Sequence, residues 1–250
     1  MELVESATRG NGLLEGRIVV VTGGSRGIGR GIVERFLSEG AHVTSLSPSG
    51  RSVEAGARHA RGIACDVSDE ASVQGAFELV RSEHGRIDVL VNNAGIADPA
   101  YLHEMTEGQF RRVIDVDLVG PWLCMREALV TMRAARSGVI VNIASVAGHS
   151  GNPRQGNYVA AKAGLVGLTK VAARENAAAG IRVNAIGPGL IETEMTAEIP
   201  REIHDRLLES IPMGRAGLPD EIAQAALFLA SDMSSYVTGA LILVSGGRGI

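Results

Sequence analysis

The sequence predicts an α/β fold: one doubly wound domain whose seven-stranded parallel sheet is flanked by helices. Three observations carry this prediction. Short apolar, β-branched runs alternate with helical patterns along the chain. The first run leads directly into a glycine-rich turn and a helix, a strand–turn–helix order suited to binding phosphate. No linker, composition shift or internal repeat divides the 250 residues.

The first strand is expected from Arg17 to Thr22, with the run IVVVT typical of a parallel strand buried on both faces. The turn Thr22-Gly23-Gly24-Ser25-Arg26-Gly27-Ile28-Gly29 follows, then a helix from about Ile28 to Ser38. Glycines let a backbone approach a pyrophosphate closely, and the helix start offers unpaired N–H groups. Ala41 to Ser47 reads as the second strand. The Gly-, Ser- and Ala-rich connection from Ser47 to Arg61 leaves room for only a stunted helix. Gly62 to Val67 is the third strand, with Asp66 at its end. Ser68, Asp69 and Glu70 open a helix by capping and charge, and Val73, Ala76, Phe77 and Val80 form its buried face. Ile87 to Asn92 is the fourth strand and runs into Asn93-Ala94-Gly95.

A long helix is expected over 107–135, bent by Pro121, with Trp122 in the core or at a subunit interface. Gly138 to Ser145 is the fifth strand, Arg154 to Ala179 a helix, and Ile181 to Ile186 the sixth strand, ending in Gly187-Pro188-Gly189. Leu190 to Gly214 has the mixed character of a lid. Pro219 to Ser231 is an amphipathic helix with proline at its start, and Leu241 to Val244 is the last strand.

Composition narrows the function. With 45% hydrophobic and 21% charged residues the chain can build a full-sized core. A net charge of −4 leaves no electrostatic footprint for nucleic acid. No apolar run approaches the ~20 residues of a membrane span, so neither nucleic acid nor membrane is an expected partner. Cys65 and Cys124 are too few for a disulfide framework and read as reduced thiols of a cytoplasmic protein. The six histidines show no ligand spacing, so no metal site is expected. The polar, partly acidic start is unlike a secretory signal and reads as a flexible arm over residues 1–13, before a domain spanning 14–250.

The chemistry concentrates between Ser145 and Lys162. Tyr158 and Lys162 stand four apart in a helical segment, which puts both on one face. A free phenol has a pKa near ~10, and a neighbouring ammonium favours the phenolate. A tyrosine tuned in this way exchanges a proton with an alcohol or ketone. Where an NAD site carries an acid after the second strand, this chain has Ser47, Pro48 and Ser49. Arg26 in the turn and Arg51 beyond it suit a 2′-phosphate, which favours NADP(H) over NAD(H).

Together these motifs resemble the short-chain dehydrogenase/reductase family from about Leu14 onward: Thr22-Gly23-x-x-x-Gly27-x-Gly29, Asp66, Asn92-Asn93-Ala94-Gly95, Ser145, Tyr158-x-x-x-Lys162 and Pro188-Gly189. The resemblance implies a Rossmann-type domain and assigns roles. Tyr158 would exchange the proton, Ser145 would hold the substrate oxygen, and Lys162 would bind the nicotinamide ribose and lower the tyrosine's pKa. The cofactor set it implies includes Gly23, Ser25, Arg26, Gly27, Ile28 and Gly29 at the pyrophosphate, with Ser47, Asp66, Val67, Asn93, Ala94 and Gly95 toward the adenosine and central sheet. Pro188, Gly189, Ile191 and Thr193 would frame the nicotinamide.

Within the family, IRVNAIGPGLIETEMT and the stretch from Ile211 to Gly239 are similar to 3-oxoacyl-[acyl-carrier-protein] reductases, with Arg136 and Arg174 where those reductases dock their acidic carrier. A tetramer formed through the two long helices is implied. Alternatives are an NAD-dependent alcohol, sugar or steroid dehydrogenase and, from another class, a non-catalytic dinucleotide-binding regulator. Three departures stand out: Asp117 where the family has asparagine, Ser245 where the reductases show aspartate, and the shortened segment after the second strand. Asp117 is expected to contribute to catalysis, either by holding the water that leads to Lys162 or by binding Lys162 itself and altering the pH dependence.

Overall fold

In the computed structural model the described residues are 12–197 and 199–249. The arm expected over 1–13 therefore falls largely outside them. β1 (Ile18–Thr22) is buried throughout, as an apolar run between two helix layers must be. Its end turns through Gly23, at φ 66°, into α1 (Gly27–Ser38). A side chain at Gly23 would place Cβ 2.9 Å from the Ala94 backbone, so only glycine fits this turn. β2 (His42–Ser47) pairs parallel with β1.

The connection after β2 corrects the expectation of a stunted helix. It is a hairpin: β3 (Val53–Ala55) runs antiparallel to β4 (Arg58–Ala64), with Gly56 at φ 62° in the turn. Glycine with positive φ at the first loop position suits a two-residue hairpin. Val53 and Ala60 pack into the same core cluster as α1, and Arg58 Nη1 donates to Leu37 O at 2.7 Å, adding a second partner to a carbonyl that also accepts from Gly40 N. The hairpin thus covers the flank that a helix would have covered. Among the described residues the sheet has eight strands rather than seven, one of them antiparallel, in the order β3-β4-β2-β1-β5-β6-β7-β8.

The remaining elements follow the expected alternation. α2 (Glu70–His84) is capped by the Asp69 carboxylate, which accepts from Ser72 N at 2.7 Å, and it buries Val73, Ala76, Phe77 and Val80. β5 (Val89–Asn92), β6 (Gly138–Ile143), β7 (Ile181–Pro188) and β8 (Leu241–Val244) extend the sheet in parallel. The segment 107–135 is helical throughout, as expected, and the disturbance near Pro121 takes the form of a π-helical turn. α3 (Glu107–Ile114) passes into a π-helical turn at Asp115–Val119, then α4 (Gly120–Ala135). Gly120 N donates to Asp115 O, five residues back, and Pro121 has no N–H to offer the next carbonyl. Trp122 is 45% exposed, with Arg126 over its ring at 5.1 Å, so it does not belong to the core of the chain.

After β6 come α5 (Ala147–Ser150) and the long α6 (Gly156–Asn176). The stretch 190–214 holds α7 (Glu194–Ala197) and α8 (Arg201–Glu209), and α9 (Pro219–Ala230) starts on Pro219. Alternating β1 side chains divide the core: Val19 and Val21 join α1 and α9, whereas Ile18 and Val20 join α2, α4 and α6. Strand order reverses between β1 and β5, which opens a crevice at their carboxyl ends.

Candidate active site

A cavity of about 550 Å³ occupies that crevice, within the range usual for small-ligand sites. The residues expected to hold the dinucleotide and the substrate line it, except Arg51, which is exposed and stands outside the cavity lining. The glycine turn and the start of α1 contribute Gly23, Ser25, Arg26, Gly27, Ile28 and Gly29. In the order of the strands that carry them, Ser47, Asp66 and Val67 lie to one side of the glycine turn, and Asn93, Ala94 and Gly95, then Pro188, Gly189, Ile191 and Thr193, to the other. Ser145, Tyr158, Lys162 and Asp117 line it too, with Lys162 in contact with Asp117 and beside the Tyr158 ring. A shallower groove of about 510 Å³ outside α1 touches the crevice at Gly27, Thr193 and Glu194 but contains none of these four.

Backbone geometry explains the convergence. Thr22 Oγ1 accepts from Asn93 N and Ala94 N, both at 3.0 Å, while Asn93 Nδ2 donates to Thr22 O and Gly23 O. The turn after β5 is thereby clamped to the glycine turn after β1. At its N-terminus α1 has no side-chain cap and no acid in its first turn, so its leading amides face the cavity uncompensated. That is the environment a phosphate group favours.

Ser145 follows β6, half-buried, and its Oγ accepts from Ala147 N at 3.1 Å. α6 carries Tyr158 and Lys162 one turn apart, with the ammonium 5.5 Å from the phenol ring centroid. Asn157, given no role of its own by the sequence, is fully buried. Its Nδ2 donates to Asp98 O at 2.9 Å and to Gln109 O at 3.2 Å, which ties the start of α6 to α3 and the loop before it. A polar residue beside Tyr158 was the visible signal, but its burial depends on tertiary packing. Arg112 also escaped notice; it lines the cavity and pairs with Asp98.

Asp117 is the unusual member of the site. The π turn aims it inward, where it is 0% exposed. Oδ1 accepts from Ile96 N at 2.8 Å, and Oδ2 stands 3.1 Å from Lys162 Nζ. Oδ2 receives no well-aligned hydrogen bond, so this contact is charge against charge. The lysine is 4% exposed and donates to Ile143 O at 3.1 Å. Gly95 makes room for the pair: a Cβ there would lie 2.8 Å from Oδ2 and 3.3 Å from Nζ. Burial pushes the Asp117 carboxyl above its usual range, and the ammonium offsets this only in part. For Lys162, burial works to lower the pKa, but Asp117 and then Tyr158 outweigh it, and the net direction is up. Of the two ways in which Asp117 was expected to act, direct contact with the ammonium is the one the geometry displays.

Elsewhere, burial raises the Cys65 thiol at the cavity wall, and Cys124 is likewise buried and unpaired. Arg136 donates to Ala178 O at 2.7 Å, a local contact, whereas Arg174 is exposed. Ser245 packs its Cα against Gly189, so this departure touches the cavity rim. Among the described residues no helix is long and apolar enough to cross a membrane, and no three metal-ligating side chains gather.

A parallel sheet with a phosphate-ready turn and a Ser–Tyr–Lys cluster in one crevice defines a Rossmann-fold oxidoreductase. A family model described as enoyl-(acyl carrier protein) reductase matches residues 23–248. An uncharacterized oxidoreductase of Mycobacterium bovis is 47% identical over 242 residues, covering 94% of this chain and 98% of the relative. The 3-oxoacyl-[acyl-carrier-protein] reductase of Thermotoga maritima is 43% identical over 241 residues, covering 94% and 98%. Among solved structures, ligand-free aldohexose dehydrogenase of Thermoplasma acidophilum superposes with a TM-score of 0.86 at 36% identity, covering 95% of this chain and 96% of that one. The chain belongs to the short-chain dehydrogenase/reductase family.

Proposed function

We propose that the protein interconverts a ketone and a secondary alcohol with NADP(H), acting on a 3-oxoacyl thioester or a related carbonyl compound. The observation that carries this reading is that Ser145, Tyr158 and Lys162 line the same cavity as the uncapped start of α1. Those first-turn amides fit a pyrophosphate. When bound, the nicotinamide supplies or receives the hydride.

The chain's own groups manage the proton and the geometry. Tyr158 gives its phenolic proton to the carbonyl oxygen in reduction and takes it back in oxidation. Ser145 Oγ donates to the same oxygen and holds it. An ammonium has three N–H donors; in Lys162 one goes to Ile143 O, one faces Asp117, and the third is free for a ribose hydroxyl. Its charge steadies the phenolate left on Tyr158.

The NADP(H) preference rests on the end of β2. Ser47 lines the cavity and shares a 3.2 Å contact with the Ser49 hydroxyl, where a carboxylate would repel a 2′-phosphate. Arg26 lines the same cavity from an exposed position, where it can pair with that phosphate. Exposed Arg174 supports docking of a carrier-bound substrate, while Arg136 is occupied locally. Two buried, unpaired cysteines suit a reducing cytoplasm, and the homotetramer follows the family's pattern. A second reading, an NAD-linked sugar or alcohol dehydrogenase, is favoured by the likeness to aldohexose dehydrogenase. Titration with NADPH and NADH, then a panel of 3-oxoacyl thioesters, simple ketones and aldoses with the tighter cofactor, tests both. The proposal expects NADPH to bind at least about tenfold more tightly and 3-oxoacyl thioesters to turn over fastest. NADH preference with aldose oxidation would select the second reading. Binding without turnover of any carbonyl or alcohol would point to a regulator.

A further inference from the structure

Among the described charged residues lining the cavity, Asp117 is the one buried carboxylate. Asp66 and Glu194 line the same cavity from exposed positions, as do Arg26 and Arg112, and Arg112 is already paired with Asp98. Water and salt damp exposed charges strongly and buried ones much less. The electrostatic character of the cavity around Tyr158 is therefore set by Lys162 and Asp117, 3.1 Å apart and both out of water, with the Tyr158 phenol beside them.

An asparagine at 117 would have nearly the same shape. Its carbonyl could still accept from Ile96 N, but the ammonium would stand uncompensated. The structure therefore contains a feature that matters for charge more than for packing. Oxidised and reduced nicotinamide rings have similar outlines, and the oxidised ring carries one more positive charge. An uncompensated ammonium in the wall disfavours the charged ring; a carboxylate beside that ammonium cancels the penalty.

We propose that Asp117 sets the site's preference between the two redox forms of the dinucleotide, holding the oxidised form more tightly than a neutral residue at 117 would. The inference rests on the dinucleotide reading of the cavity given above. Its consequence is that, relative to a neutral residue at 117, the balance moves toward the oxidised complex, the one that accepts an alcohol. Asp117 acts here through charge and through Lys162, as a positioning and selectivity residue.

The test is equilibrium titration of wild type and D117N with NADP+ and NADPH, by calorimetry at neutral pH and fixed salt. The ratio of the two dissociation constants should shift toward the reduced form by about three- to tenfold in D117N, the scale of one partly screened charge. D117S, shorter and also neutral, should shift the ratio in the same direction and serves if D117N does not fold. A role confined to holding Lys162 in place would weaken both forms alike. An unchanged ratio with both forms bound overturns the inference and leaves the proposed function standing. If neither form binds wild type, the functional reading and this inference fall together.

Discussion

The two ends of the cavity are built from opposite materials. At the Lys162 end, charged groups are sealed from water: Asp117 is 0% and Lys162 4% exposed, and four elements converge on them. At the Ser47 end, small hydroxyls, Asp66 and exposed Arg26 stand at a partly solvated rim, beside a hairpin at the edge of the sheet. A sealed charge pair tolerates little, because any change leaves a buried charge without its partner. An open rim adjusts by solvation. The chemistry should thus be brittle at one end and the cofactor preference adjustable at the other.

Lys162→Met should break the sealed end most severely. It leaves the Asp117 carboxylate buried without its ammonium, and turnover should fall by about a thousandfold or more. Gly95→Ala comes next. Its added carbon would press on Oδ2 at 2.8 Å, and overpacking of this kind costs about 1–3 kcal/mol of stability. Thermal unfolding and activity should fall together in this variant; unchanged values would mean that the pair does not need the space.

Asp117→Asn sharpens the comparison through pH. Because burial raises the folded-state pKa of Asp117, the folded protein holds that proton more readily than the unfolded chain. This contribution to stability is present at acid pH and is lost as pH rises through the folded value. Wild type should gain in melting temperature relative to D117N as pH falls from neutrality toward 4. A relative loss would show that the attraction to Lys162 outweighs the cost of burial. On the alkaline side Lys162 is raised, so its contribution is lost as pH rises through its folded value. Without Asp117 that loss should begin at lower pH.

Much of the molecule was legible because its rules are local. The strand runs, the α2 face at Val73, Ala76, Phe77 and Val80, and the Tyr158–Lys162 spacing each express a period of two or of about four residues. The residues lining the cavity were legible as an ordered set of motifs. The hairpin was not: Val53–Ala55 is three residues with one large apolar side chain, too short for any periodicity to register. The π turn was hidden for a related reason. Pro121 announced a disturbance, but the unmade hydrogen bond lies one turn earlier, where Asp117 sits. The burial of Asn157 and the Arg112–Asp98 pair depend on contacts between segments far apart in sequence.

The open end yields smaller effects. Arg26→Glu should lower affinity for NADPH by about tenfold and leave NADH nearly unchanged, with turnover at saturating cofactor preserved. Equal losses for both cofactors would remove Arg26 from any 2′-phosphate contact. Arg58→Ala, which deletes the hydrogen bond to Leu37 O, should cost about 1 kcal/mol in denaturant unfolding and leave kinetics unaltered.

The most direct test of the account is rapid-mixing turnover of a reactive ketone by Tyr158→Phe alongside wild type, with NADPH affinity measured on the same samples. Loss of only the phenol oxygen should leave cofactor binding within about twofold while the chemical step slows by at least about a hundredfold. A Tyr158→Phe protein that oxidises NADPH at the wild-type rate would contradict the account, because the proton would then have to come from another group.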